Sequence, residues 1–183
     1  MYDFVIVHGS FGSPFENWTP WLYSELEKEE KKVIAPQFPT VPQNYENWFK
    51  VMSAYDQFIG EGTSMIAHSL GPAFVLDYII QQKKRIKNLY FVAPFYDLIN
   101  IPEFDEVNKT FFIHPTVEEA KQYFNKSWCF YSDNDPYVPR TLSESIASQL
   151  GASTEIVKGG GHINKGAGYV EFDRLLQVIK DNG

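Results

Sequence analysis

A chain of 183 residues with a formal net charge of −7 is long enough for one domain that buries about 70% of the surface exposed by its unfolded chain. We therefore expect residues 1–183 to form a single domain. Acidic residues outnumber basic ones by 23 to 16, which opposes nucleic-acid binding because proteins that bind phosphates carry a basic face. Hydrophobic residues make up 44% of the chain, which favours a globular protein with a large core.

Six runs are predicted to be strands, and the first of them is a continuous β-branched and aromatic run typical of a strand buried on both faces of a parallel sheet. In chain order they are residues 2–7, 32–36, 63–67, 86–93, 127–132 and 154–158. Helical periodicity falls between and after them, at residues 15–30, 44–59, 72–82, 140–150 and 168–180. This alternation predicts an α/β fold, with a mostly parallel sheet and helices on both faces.

The loop after the first strand is rich in glycine and runs from His8 to Pro14. It contains no lysine and lacks the G-x-G-x-x-G spacing of nucleotide-binding loops. We interpret it as a turn whose backbone N–H groups face developing negative charge above the sheet.

A sharp corner is predicted where the third strand meets the next helix. Ser69 lies at its centre, after Met65-Ile66-Ala67 and before Gly71-Pro72-Ala73. A serine on such a turn has strained backbone angles and an exposed hydroxyl, and small residues two positions away on each side let the strand and helix approach closely. Ala67 replaces the first glycine of the usual G-x-S-x-G pattern, a change of one methyl group.

Residues 94–126 are the least regular part of the chain, and we interpret them as a small insertion or cap. Within them, Thr116-Val117-Glu118-Glu119 has the spacing of a capping box, which predicts the start of a short helix.

Distinctive polar residues follow four of the predicted strands. They are His8-Gly9-Ser10, Ser69, Asp135 and His162. Ligands bind at the carboxyl ends of parallel strands, so these residues are expected to gather at one edge of the sheet. The order Ser, Asp, His is that of the α/β-hydrolases.

Four motifs carry a resemblance to that superfamily: H-G-S-F-G-S-P, A-H-S-L-G, S-D-N-D-P-Y-V-P and G-G-G-H-I-N. The chain resembles its small serine hydrolases related to the retinoblastoma-binding protein nine family. The resemblance implies a three-layer fold with about six strands, a minimal lid and no cofactor.

The resemblance also implies roles for these residues. Ser69 would be the nucleophile, His162 the general base and Asp135 the carboxylate that orients the imidazole. The backbone N–H of Leu70 and a second one, at Ser10 by preference or Phe11 as the alternative, would stabilise an oxyanion.

Each of these assignments has a competitor. Asp133 is close enough in sequence to replace Asp135, but the position three residues before a Val-Pro pair favours Asp135. His162 taken alone could be a structural histidine. His8 and His68 flank the two turns and are interpreted as supporting them. His114 has no partner that the sequence identifies.

The pocket and the metal chemistry are less defined by the sequence. Five aromatic residues fall in loops expected at the carboxyl edge, where they would line an apolar substrate pocket or else cover the core: Phe11, Phe15, Phe95, Tyr96 and Tyr137. No group of residues has metal-ligand spacing, so we expect neither a metal nor a cofactor.

The compartment is inferred from three features. Cys129 is the single cysteine, so no intramolecular disulfide can form, which fits a reducing compartment. Its apolar surroundings, Trp-Cys-Phe-Tyr, favour a buried structural thiol over a nucleophile. No apolar run approaches the length of a membrane span, and no basic segment followed by a long apolar one begins the sequence. We expect a cytoplasmic protein that does not bind membranes.

The sequence therefore predicts a serine hydrolase that cleaves small carboxylic esters, or amide or peptide bonds, through an acyl-enzyme. Its partner would be the small-molecule substrate. A different hypothesis is a protein-binding module that keeps the hydrolase fold with little or no physiological activity. A hydrolase of C–C or C–halogen bonds is a third option, because fold does not determine reaction.

Overall fold

The computed structural model describes residues 1–183. Six strands form its centre: β1 (Phe4–Val7), β2 (Val33–Ile34), β3 (Ser64–His68), β4 (Asn88–Val92), β5 (Lys126–Ser132) and β6 (Ser153–Val157). They lie in the order β2-β1-β3-β4-β5-β6, and every neighbouring pair is parallel. The predicted parallel sheet is confirmed.

The chain also forms six α-helices. They are α1 (Thr19–Lys28), α2 (Tyr45–Ser53), α3 (Gly71–Gln81), α4 (Pro102–Asn108), α5 (Arg140–Leu150) and α6 (Asp173–Asn182). None of them has both the length and the apolar character that crossing a membrane requires.

Alternation along the strands divides the core into two clusters. On β1, Val5 and Val7 face the cluster formed with α2, α3 and α5, whereas Phe4 and Ile6 face the cluster formed with α1 and α6. Successive side chains of a strand point to opposite faces, so a continuous apolar strand supplies both layers. This is the three-layer architecture expected from the sequence.

The strand order creates a switch point beside β1. The chain leaves β1 to form β2 on one side, and β3 then pairs with β1 on the other side. In open parallel sheets, ligands bind in the crevice outside the carboxyl ends of the strands at such a point. The loop after β1 and the corner after β3 meet at this crevice.

Three predicted helices are shorter than expected. The first begins at Thr19, and Phe15, assigned to it from the sequence, is 82% exposed in the preceding loop. The second ends at Ser53 and is followed by a separate 3-10 turn, Asp56–Phe58. The last begins at Asp173, after a loop that includes Gly168 with a φ of 91°. Aromatic residues at helical spacing extended the first two predictions into loops, where Phe15 and Phe58 are exposed.

The segment between β4 and β5 also differs from its prediction. It contains α4, which was not predicted even though Pro102 at its first turn is a favoured position. The predicted capping box does not form, because Thr116 Oγ1 accepts a hydrogen bond from the N–H of Glu118, at 3.3 Å, and not from that of Glu119. A 3-10 helix follows, Glu118–Tyr123.

Candidate active site

Ser69 occupies a strained corner between β3 and α3. Its φ is 60°, in the left-handed region, which costs a residue other than glycine on the order of 1–3 kcal/mol. Its N–H donates to the carbonyl oxygen of Val92 on β4, at 2.9 Å. The neighbouring strand therefore holds the strained residue in place.

Close backbone approach explains which small residues flank this corner. A Cβ added to Gly71 would lie 2.8 Å from the carbonyl oxygen of Val7 and 2.9 Å from that of His8. It would also lie 3.2 Å from the Cβ of Ala67. One methyl group therefore fits between the two positions, which is why Ala67 is compatible with the corner and Gly71 has no room for a side chain.

The ring of His162 lies between the side chains of Ser69 and Asp135. Its Nε2 is 3.0 Å from Ser69 Oγ, and its Nδ1 is 2.7 Å from Asp135 Oδ2. The other carboxylate oxygen, Asp135 Oδ1, accepts hydrogen bonds from the N–H groups of Tyr137 and Val138, at 2.9 and 3.0 Å. The carboxylate is thus fixed by its own loop and leaves one oxygen for the imidazole.

The loop that carries His162 is anchored to the end of β5. Asp133 Oδ1 accepts the N–H of Gly159, and Asn134 Oδ1 accepts the N–H of Gly161, both at 2.8 Å. Ser132 Oγ donates to the carbonyl oxygen of Gly161 at 2.5 Å. Asp133, the competitor of Asp135 in the sequence, therefore holds the loop and does not contact the imidazole.

Two buried side chains outside this loop also hold it. Trp18 donates from Nε1 to the carbonyl oxygen of Ile163, at 3.0 Å. His68 Nε2 lies 3.0 Å from the carbonyl oxygen of His162, to which it donates. From the sequence, Trp18 is only one of the residues of the predicted helix 15–30. Its contact joins residues 145 positions apart, and no local signal reveals it.

The other two histidines beside the corner are neutral. Burial lowers the pKa of His68 to about 3, with a smaller effect of the nearby His162, and burial also lowers that of His8. His8 Nε2 accepts the N–H of Phe38 at 3.0 Å, so Nδ1 carries the hydrogen and donates to the carbonyl oxygen of Gly9 at 2.8 Å. Both rings support loops, as their positions in the sequence suggest.

The two backbone N–H groups that were expected from the sequence to bind an oxyanion donate to no acceptor within the protein. They belong to Leu70, which precedes α3, and to Ser10 in the loop after β1. The alternative donor, Phe11, already donates its N–H to Gln43 Oε1 at 2.7 Å. The loop lies against the serine, because a Cβ on Gly9 would be 2.8 Å from Ser69 Cβ.

A cavity of about 210 Å³ opens above these groups. Its apolar side is formed by Phe95, Ile99, Phe104, Tyr137 and Val138, and its polar side includes Glu16, Asn17, Asn108 and Asn164. Of the aromatic residues expected in a pocket, Phe95 and Tyr137 line the cavity, whereas Phe15 and Tyr96 do not. Phe11 does not line it. It is 49% exposed and packs on Phe104, with ring centroids 5.7 Å apart.

The remaining residues considered from the sequence lie elsewhere. His114 Nε2 is 3.8 Å from Oδ1 of Asp77, a buried residue of α3. Cys129 is buried in β5, and burial raises the pKa of its thiol to about 12. No three His, Cys, Asp or Glu residues are arranged so that they could hold a metal ion.

Comparison with known proteins gives consistent matches over the whole chain. The sequence model of the serine hydrolase family matches residues 4–181. The chain is 26% identical to YdeN of Bacillus subtilis (strain 168) over 178 residues, which is 95% of this chain and 92% of YdeN. The solved structure of the B. subtilis ydeN gene product has a TM-score of 0.89 at 22% identity, covering 100% of this chain and 98% of that one.

A more distant solved structure, described with the metagenome-derived lipolytic enzymes LipS and LipT, has a TM-score of 0.73 at 13% identity. The match covers 97% of this chain and 90% of that one, and it shows a shared α/β-hydrolase fold. The family match extends from the first strand to the last helix. This chain belongs to the serine hydrolase family, within the α/β-hydrolase superfamily.

Proposed function

We propose that the protein cleaves small carboxylic esters through an acyl-enzyme at Ser69. One observation carries the proposal: His162 bridges Ser69 Oγ, at 3.0 Å, and Asp135 Oδ2, at 2.7 Å, at the carboxyl edge of the sheet. A hydroxyl is a weak nucleophile until a base takes its proton, and an imidazole needs a partner to fix its tautomer. The three side chains supply these functions in the required order.

Acylation of the enzyme would proceed in two steps. His162 Nε2 takes the proton of Ser69 Oγ as the oxygen attacks the ester carbonyl carbon, and Asp135 stabilises the resulting imidazolium. The carbonyl oxygen becomes an oxyanion, which the free N–H groups of Leu70 and Ser10 are proposed to bind. The imidazolium then returns its proton to the leaving alcohol as the C–O bond breaks.

Deacylation would use the same groups with water in place of the serine. His162 takes a proton from a water molecule, which attacks the acyl carbon. The second tetrahedral intermediate collapses as the imidazolium protonates Ser69 Oγ. A carboxylic acid leaves and the serine is restored, so the residues end in their starting states.

The size of the cavity supports a small substrate. Ligand pockets usually enclose about 300–1,000 Å³, and this one encloses about 210 Å³. Its apolar wall suits a short acyl chain. Esters are proposed ahead of amides or peptides because a structural neighbour is described with lipolytic enzymes and because alcohols leave more readily than amines.

Hydrolysis of a panel of short-chain aryl esters by wild-type protein and Ser69→Ala tests the proposal. Removal of a triad serine in a serine protease lowers turnover on the order of a millionfold, so Ser69→Ala should have no detectable activity. Ser127→Ala is a matched control, because Ser127 is buried at the start of β5 and its hydroxyl has no hydrogen-bond partner. Equal ester hydrolysis in Ser69→Ala and wild type would favour a protein-binding module and overturn the proposal.

A further inference from the structure

A chain of three side-chain hydrogen bonds lies behind the loop after β1. The N–H of Phe11 donates to Gln43 Oε1 at 2.7 Å, and Gln43 Nε2 donates to Asn108 Oδ1 at 3.1 Å. The same Asn108 oxygen accepts a hydrogen bond from Ser10 Oγ at 2.8 Å. Gln43 and Asn108 are 5% and 1% exposed. No local pattern in the sequence indicates this arrangement, since its bonds join residues 32, 65 and 98 positions apart.

The directions of these three hydrogen bonds follow from one backbone group. The N–H of Phe11 can only donate, so Gln43 must present its oxygen to Phe11 and its nitrogen to Asn108. Asn108 must then present its oxygen to Gln43, and the hydroxyl of Ser10 must donate to that oxygen. Neither amide can be reversed without placing two donors or two acceptors face to face.

This network of hydrogen bonds holds the loop while the N–H of Ser10 stays free. It occupies the N–H of Phe11, whose φ of 53° is in the left-handed region, and it holds the side chain of Ser10. The N–H of Ser10 keeps no acceptor within the protein. Ser10 and Asn108 both line the cavity above Ser69. The free N–H therefore belongs to a loop that Gln43 and Asn108 hold in place.

The Asn108 amide is not explained by stability alone. Its Nδ2 is buried and has no hydrogen-bond partner, and an unpaired buried donor costs on the order of 1–3 kcal/mol. Asn108 ends α4, whose Phe104 lines the same cavity. The amide therefore connects the segment that covers the cavity to the loop beneath it.

We propose that Gln43 and Asn108 are positioning residues that hold the Ser10 N–H toward the oxyanion of the substrate, an inference that rests on the proposed function. They do not touch the reacting atoms. Their effect passes through the Ser10 hydroxyl and the Phe11 N–H to the backbone of the loop. A displaced oxyanion donor weakens binding of the transition state and leaves binding of the ester itself largely unchanged.

The test measures kcat and KM for a short-chain aryl ester in Ser10→Ala, Asn108→Ala, Gln43→Ala and the Ser10→Ala/Asn108→Ala double variant. Complete loss of one oxyanion donor costs about 100- to 1,000-fold, and displacement should cost less, about 10- to 100-fold in kcat. KM should change by less than about threefold, since the donor acts mainly in the transition state. The double variant should lose no more than Asn108→Ala alone, because both changes break the same bond.

Affinity for a tetrahedral inhibitor is a second measurement, which should not change if these residues have a purely structural role. Affinity for an alkylboronic acid, whose oxygen occupies the oxyanion position, should fall in parallel with kcat in each variant. Asn88→Ala is the matched control, since Asn88 is a buried amide that donates to the Asn182 carbonyl oxygen at 3.1 Å, at the opposite end of the sheet. It should lower the unfolding midpoint without changing kcat or boronate affinity.

Unchanged kcat in the variants, or equal losses of boronate and substrate affinity, would overturn the inference. If Asn108→Ala does not fold, Ser10→Ala decides, because it removes one hydroxyl from a half-buried loop residue. Ester hydrolysis by the wild-type protein distinguishes a failure of the proposed function from a failure of the positioning role. No Ser69-dependent ester hydrolysis in wild type would overturn the proposed function, whereas normal wild-type activity with unaffected variants would overturn only the role of Gln43 and Asn108.

Discussion

His68 Nε2 donates a hydrogen bond of 3.0 Å to the carbonyl oxygen of His162. The residue that precedes the serine thus holds the backbone of the residue that carries the imidazole. Because burial lowers the pKa of His68 to about 3, its ring is neutral near pH 7. The relationship ties the two sides of the site together, across 94 residues of sequence.

Replacement of His68 should therefore loosen the loop of His162. His68→Ala removes the donor and leaves a cavity, so we expect a loss of about 1–3 kcal/mol in the free energy of unfolding and a lower kcat. His68→Gln keeps an N–H donor and should retain more of both. Urea unfolding and ester hydrolysis measure the two effects, and wild-type behaviour of His68→Ala would contradict them.

His68 should also lower the free energy of unfolding in acid. Its pKa is lowered in the folded state, so the unfolded chain binds a proton near its ordinary value of 6.5 while the folded chain does so only near 3. This contribution is present above pH 6.5 and is lost as the pH falls. The free energy of unfolding of His68→Gln, measured from pH 4 to 7, should fall less steeply than that of wild type. Parallel curves would contradict the prediction.

Replacement of Asp135 should lower activity far more than replacement of Asp133. Asp135→Asn places an amide against His162 Nδ1 and disturbs its tautomer, a change that costs about 10,000-fold in kcat in a serine protease. Asp133→Asn keeps an oxygen that can accept the Gly159 N–H, so its kcat/KM should stay within about tenfold of wild type. Similar losses in the two variants would show that the 2.7 Å contact of Asp135 has no special role.

Gly71→Ala should disrupt the corner through backbone contacts. The added Cβ would meet the carbonyl oxygens of Val7 and His8 at 2.8 and 2.9 Å, and backbone atoms of a central strand cannot move aside cheaply. We expect a destabilisation of at least about 1–3 kcal/mol and loss of activity. Gly62→Ala is the control, since its Cβ would meet no atom within 4 Å. Equal unfolding midpoints for the two variants would refute this explanation.

The buried carboxyl of Asp77 should make the free energy of unfolding depend on pH in the opposite sense to His68. The Asp77 carboxyl is buried in α3, accepts a hydrogen bond from Tyr96 and faces His114 and Tyr45. Burial raises its pKa to about 8, against the smaller opposing effect of Tyr96. The folded state therefore holds a proton that the unfolded chain releases near pH 4, and this contribution to stability is lost as the pH rises toward 8.

Asp77→Asn removes that titration while keeping an oxygen that can accept the Tyr96 hydroxyl. The free energy of unfolding of the variant minus that of wild type should rise between pH 4 and 8, by at most about 1.4 kcal/mol per pH unit, and then level off. Urea unfolding at several pH values measures the difference. A difference that stays constant across this range would contradict the buried, protonated carboxyl.

The fold was predictable because its signals are local. The central strands are apolar runs in the sequence, and the corner at Ser69 needs small neighbours, which the sequence has at Ala67 and Gly71. The helix boundaries were less accurate, since side chains such as Phe15 continue the apolar spacing beyond the helix. In that region tertiary packing and loop geometry decide the structure, and a periodic pattern does not contain them.

The candidate site likewise contains residues that the sequence predicts and residues that it does not. Ser69, Asp135 and His162 follow strands of a parallel sheet, so topology alone predicts that they meet. The residues that hold them could not be predicted in this way. Trp18 reads as a helix residue, and Gln43 and Asn108 lie in segments with no motif. Their contacts depend on how distant loops fold back over the sheet edge, which no spacing along the chain encodes.

Reaction with a fluorophosphonate, followed by peptide mapping, tests the central claim most directly. A phosphonylated serine requires both a nucleophilic Oγ and a base beside it. We expect one adduct per chain on Ser69 in the folded protein, none in Ser69→Ala, and a greatly slowed reaction in His162→Ala. An unreactive folded protein, or an adduct on another residue that persists in Ser69→Ala, would contradict it.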